Sequence, residues 1–151
     1  MRFQRQRGFV LIAMSASMFL LLAVIGLAFD LGRIYIARNE AQVFTDAAAM
    51  TAASRLDETA AGIANAKDAV ARLPMRWNLG TKQFSGVTVE FSKDGEMWSR
   101  DPKDASGLAF ARVTAPANTV EITFLRAVGG PASFTVPARS VAETHPVRLT
   151  Q

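Results

Sequence analysis

One histidine, thirteen acidic side chains and no cysteine are what this 151-residue chain offers for chemistry. His145 stands beside Pro146 near the C-terminal end, where a solvated tail is expected rather than a catalytic base or metal ligand. The lack of cysteine excludes disulfides, thiolate metal sites and cysteine nucleophiles. No glycine-rich phosphate loop, no pair of histidines at helical spacing and no Ser/His/Asp arrangement is recognisable. The carboxylates are scattered, without the convergence that general acid and base catalysis requires. The chain therefore reads as a protein that is not an enzyme, with no catalytic residue, no metal, no cofactor and no recognised small-molecule substrate.

The charges are informative for their placement instead. The formal net charge is +4 and the pI about 10.1. Arg2, Arg5 and Arg7 precede every acidic residue and supply most of that excess, so the remainder is close to neutral. A basic stripe suited to phosphate neutralisation is missing, and nucleic acid is not expected as a partner.

The element behind these arginines is an apolar stretch from Gly8 to Phe29, GFVLIAMSASMFLLLAVIGLAF, without charge or proline. About 20 such residues cross the hydrocarbon of a bilayer as a helix, which pairs its own backbone amides. A cleaved signal peptide has a shorter apolar region, and a soluble core helix rarely stays apolar on every face for so long. With Arg2, Arg5 and Arg7 on one side and Asp30 opening the other, the expected topology is a single pass, N-terminus inside, with the rest outside the cytoplasm. Ala13 and Ser17, and Ala28 and Gly32, form small-residue pairs four apart that let a second helix approach in lipid.

Helix-forming sequence continues past Asp30. The run to about Leu56 contains no proline, and Ala37, Ala41, Thr45, Ala48 and Ala52 line one stripe suited to packing against another helix or the protein's own head. Asp30, Arg33 and Arg38 suit headgroup anchoring or a contact with a partner subunit, and Tyr35 suits an aromatic interface belt. Asp46 suits either a helix contact or an exposed position. Asp57 is a reasonable N-cap for a second helix ending before Pro74, with Ile63, Val70 and Leu73 on its apolar face.

From Trp77 the period becomes alternating. Val87 to Phe91 reads as a strand, Lys93 to Glu96 as a turn, and Met97-Trp98 as the start of a return strand. Leu108 to Thr114 and Thr119 to Phe124, separated by Pro116, are further strands. Ser133 to Val136 with Ser140 to Glu143 closes the sheet after the Gly129-Gly130-Pro131 breaker. Trp77 and Trp98 suit core or domain-edge positions. The expected fold class is α+β: a long N-terminal helix, transmembrane and then extramembrane, a short second helix and a small antiparallel sheet. The expected divisions are a basic leader over 1–7, a transmembrane helix over 8–29, its extension over 30–56 and a head over 57–151.

Three features together resemble the Flp pilus-assembly TadE/TadG-like family: Arg7-Gly8 before an apolar helix, the Asp30-Leu-Gly-Arg-Ile-Tyr35 exit, and an alanine-rich continuation. The residues that carry the resemblance include Arg7, Gly8, Val10, Gly26, Asp30, Gly32, Arg33, Tyr35, Arg38, Gln42, Asp46, Ala47 and Ala48. It implies a pilin-like or pseudopilin-like component of a tight-adherence system in the bacterial cytoplasmic membrane, with other pilus or secretion subunits as partners through helix packing. Gly8-Phe9 looks like a prepilin peptidase site. The fifth residue after Gly8 is Ala13, where processed pilins usually carry glutamate, so uncleaved retention is expected. The Asp-x-Ser-x-Ser metal site of longer TadG-like proteins is not in the sequence. The alternative from another class is a membrane-tethered binding or adhesion module that uses its β-rich head.

Overall fold

A computed structural model describes residues 5–144, without side-chain detail for 5–7 and 117. Arg2 and His145 therefore lie outside the described residues, as do the side chains of Arg5 and Arg7. Helix α1 runs unbroken from Arg5 to Ala53, 49 residues and about 74 Å at 1.5 Å per residue. It continues through Gly32, since one glycine leaves the amide ladder intact. It ends three residues before the expected Leu56, because Arg55 and Leu56 donate to Ala52 and Ala53 in tight terminal turns.

Helix α2 covers Ala60–Ala71. Its N-cap is Thr59 rather than Asp57: Thr59 is extended and its hydroxyl accepts from Gly62 N at 3.0 Å. Asp57 instead accepts from the Thr59 amide and hydroxyl, holding the capping residue in place. Ile63, Ala66 and Val70 face the core, while Leu73 packs on it from beyond the helix end.

Five strands follow among the described residues. β1 (Arg76–Trp77) pairs with β2 (Lys82–Gln83), and a separate antiparallel sheet has the order β3 (Thr88–Ser92), β4 (Phe110–Glu121), β5 (Ser133–Glu143). The return strand expected at Met97-Trp98 does not form. The Asp94 carboxylate takes the amides of Glu96 and Met97, so Met97 cannot donate to a ladder, and only Ser99 bridges to Phe91. The two strands expected either side of Pro116 are one strand, β4, carrying a bulge between Ala115 and Asn118. A bulge is where a missing N–H is tolerated. The same bulge faces Pro137, so the two expected closing segments are also one strand, β5, at the sheet edge. A four-residue helix, α3 (Phe124–Ala127), sits between β4 and β5, and β4 ends at Glu121 rather than at the expected Phe124.

The architecture is α+β, with one hydrophobic core built on the second half of α1. Ala37, Ala41, Phe44, Ala48 and Ala52 are buried against β4, β5 and α2. Phe44 stacks on Phe84, which stacks on Trp77, with ring centroids 4.7 and 5.4 Å apart.

Candidate functional site along the long helix

The first half of α1 has almost no protein cover. Between Gly8 and Phe29 only Gly26 is buried, while Phe9, Ile12, Met14 and Phe19 are each about 70% exposed. A soluble protein does not leave such a surface in water. The segment is long and apolar enough to cross a membrane, and its outward faces suit lipid.

Gly26 is buried because the head reaches down to it. A Cβ there would lie 2.7 Å from Phe124 Cβ, so only glycine admits this approach. Phe124 also meets Phe29 edge-on at 5.6 Å. One turn above, the Asp30 carboxylate is 1% exposed and accepts three amides, from Thr123 N at 3.1 Å, Phe124 N at 2.8 Å and Leu125 N at 2.6 Å. These are the unpaired donors of the α3 first turn, and a carboxylate meets them with short, charge-assisted bonds. Asp30 thus clamps the β4–β5 connection to α1.

Higher on the helix a second polar cluster fastens β5. Gln42 Nε2 donates to Asp46 Oδ1 at 2.9 Å and to Ser140 Oγ at 3.1 Å, and Ser140 Oγ in turn donates to Asp46. Thr45, fully buried, lies 2.8 Å from the same Ser140 hydroxyl. Glu40 makes a third tie by accepting the amides of Asn78 and Leu79. Those two residues are in the left-handed region, with φ of 55° and 58°. Backbone of that kind presents successive N–H groups to an anion.

Against this geometry the comparisons with known proteins are specific. Residues 8–55 match the family model described as Flp pilus-assembly TadE/G-like. The similarity is confined to these N-terminal residues. Among curated proteins and among solved structures nothing matches the chain.

The TadE/G-like segment ends two residues beyond α1, so the match covers the exposed span and the head-docking face together, and none of the sheet. Its motif residues divide by location. Asp30, Gln42, Asp46 and Ala48 contact the head or sit at its interface. Gly32, Tyr35, Arg38 and Ala47 are exposed, and Arg33 is half-buried. Gly8 and Phe9 lie in the helix on open surface, as do the small pairs Ala13 with Ser17 and Ala28 with Gly32. Trp98 is taken up within the head: its indole N–H donates to Gly95 O, and the Arg112 guanidinium lies 4.2 Å over its ring while pairing with Glu90.

The sequence assigned no site role to Glu40, Ser140 or the Thr123–Leu125 amides. Glu40 looks like any exposed helix acid, and backbone amides leave no trace in residue types. Gly26 did carry a signal, as a lone glycine inside a run of large apolar residues.

Proposed function

We propose that this protein is a non-enzymatic component of a Flp pilus-assembly machine, held in the bacterial cytoplasmic membrane by one pass of α1. Residues 1–7 form a cytoplasmic basic leader in which Arg2, Arg5 and Arg7 hold the N-terminus inside. Residues 8–29 span the bilayer, and 30–56 carry the 57–151 head outside the cytoplasm. Gly8-Phe9 stays uncleaved, since Ala13 supplies no carboxylate for the usual pilin contact.

The observation that carries this reading is the TadE/G-like segment itself, whose apolar half is uncovered by the chain's own head. The alanine stripe from Ala37 to Ala52 is already occupied by that head, so other subunits meet the opposite, small-residue face, with Ala13, Ser17, Ala28 and Gly32 as the points of close approach. Arg33, Tyr35 and Arg38 lie beside that face at the membrane exit.

The test follows from the position of that face. Ala28→Leu with Gly32→Leu enlarges two exposed side chains that touch nothing in the head, so the protein should accumulate normally and still fail to support pilus formation. Unchanged piliation in this double variant would remove the helix-assembly reading. If substitutions on the outer surface of the head abolished function instead, the tethered binding module would replace it.

A further inference from the structure

We infer that the β4–β5 connection, residues 122–132, is a membrane-inserted wedge that sits in the outer leaflet beside the spanning helix. The inference rests on the reading that 8–29 spans a bilayer, and goes beyond it by placing part of the head in lipid.

Depth is the first argument. If the hydrocarbon begins at Gly8, about 30 Å of it ends near Ala28, and its outer half corresponds to residues from about Met18 onward. The connection lies within that range: Phe124 is against Gly26, and the groove between the connection and α1 is lined by Phe19, Leu22 and Leu27 on one side and Leu125 and Val128 on the other. Phe19 is 11 residues before Asp30, about 16 Å along the helix axis.

The surface and backbone of the wedge fit lipid. Phe124 and Val128 are 47% and 64% exposed, next to the uncovered apolar face of α1. Backbone in hydrocarbon must be paired internally, and seven amides of the connection are. Asp30 takes the amides of residues 123–125. Ile122 N donates to Ala132 O, Val128 N and Gly130 N to Leu125 O, and Gly129 N to Arg126 O. The one charged side chain from 122 to 132 is Arg126, exposed and long enough for its guanidinium to reach the headgroups while its stem stays in the apolar layer.

The natural chain has no cysteine, so single-cysteine variants of the full chain report position without background. Val128→Cys, Ala127→Cys, Leu20→Cys and Met97→Cys would be labelled with an environment-sensitive fluorophore and reconstituted into phosphatidylcholine vesicles. Each would be quenched by doxyl-labelled lipid or by iodide present on both sides of the bilayer. Labels at 128, 127 and 20 should be quenched by the lipid several-fold more than the label at Met97, which is 79% exposed in the head, and shielded from iodide to a similar degree. Iodide quenching at 127 and 128 equal to that at 97 places the wedge in water and overturns the inference. Shielding from both quenchers means that a second copy of the chain covers it, which overturns it as well. In either case lipid quenching at Leu20 leaves the spanning helix standing, whereas its loss removes both readings.

Discussion

Between Gly8 and Phe29 the long helix buries Gly26 alone, whereas between Asp30 and Ala53 it buries an entire face, from Ala37 through Ala41, Phe44, Thr45 and Ala48 to Ala52. The backbone is the same throughout. What differs is side-chain size and periodicity. The first half is large and apolar in all directions and demands an apolar solvent. The second sets a stripe of small residues on one face, which lets strands β4 and β5 come close, and leaves a mixed face outward with Arg38, Val43 and Met50. The two kinds of surface meet near Asp30, where the buried carboxylate takes the amides of residues 123–125.

The sharpest way to break that division is to remove the clamp. Asp30→Ala leaves the amides of residues 123–125 without their carboxylate, and a bond to a charged acceptor contributes roughly 1.5–3 kcal/mol net of water, with the three sharing one carboxylate and so not adding. Hydrogen exchange of the detergent-solubilised chain should show residues 122–130 losing about 3 kcal/mol of protection, with β3 and α2 little changed. Protection that stays as in the natural chain would mean that apolar packing alone holds the connection.

The alanine stripe gives the next effect. Ala48→Leu inserts a large side chain where Ala48 is fully buried against the head, and overpacking of this kind costs about 1–3 kcal/mol. Ala28→Leu, on open helix surface, should stay within about 0.5 kcal/mol of the natural protein. Equal thermal midpoints for the two variants would contradict the difference between the halves. Because Ala48 and Ala41 serve the chain's own core, substitution there reports on folding and cannot by itself report on assembly.

Two glycines make a finer comparison. Gly26→Ala drives a Cβ into Phe124 and should displace the connection, raising proteolysis at Arg126. Gly32→Ala meets nothing within 4 Å and should stabilise the helix by about 0.5–1 kcal/mol, since alanine loses less backbone entropy than glycine. Matching proteolysis rates in the two variants would show that the close approach at Gly26 is dispensable.

The smallest effect concerns acid. The amides of Met97 and Glu96, with the Ser92 hydroxyl, hold the Asp94 carboxyl down at about 2. A depressed carboxylate contributes order above its ordinary value of 3.8 and loses it as pH falls through about 2. Amide protection at Glu96 and Met97, taken relative to the intrinsic exchange rate at each pH, should therefore fall between pH 4 and 2, while protection over the span from 8 to 29, which contains no ionisable group, should not change. A pH-independent protection factor at Met97 would show that the turn holds without the charge.

Much of this was legible in one dimension. Apolar length and the absence of proline announce a helix long enough to cross a membrane that continues well past Phe29, and the spacing of Ala37, Ala41, Thr45, Ala48 and Ala52 announces a buried stripe. These signals are local, since helical period and bilayer thickness act on consecutive residues. The strand boundaries were less legible, because Pro116 and Pro137 read as breaks until their placement at a shared bulge is known. Which surface covers the stripe, that Asp30 caps a turn 93 to 95 residues away, that Ser140 completes the Gln42 and Asp46 cluster, and how deep Phe124 reaches were decided only by tertiary structure. Each depends on which distant backbone or side-chain group arrives at a given helix face. The sequence determined a helix with two kinds of surface; the fold decided that the head fills one of them and leaves the other open.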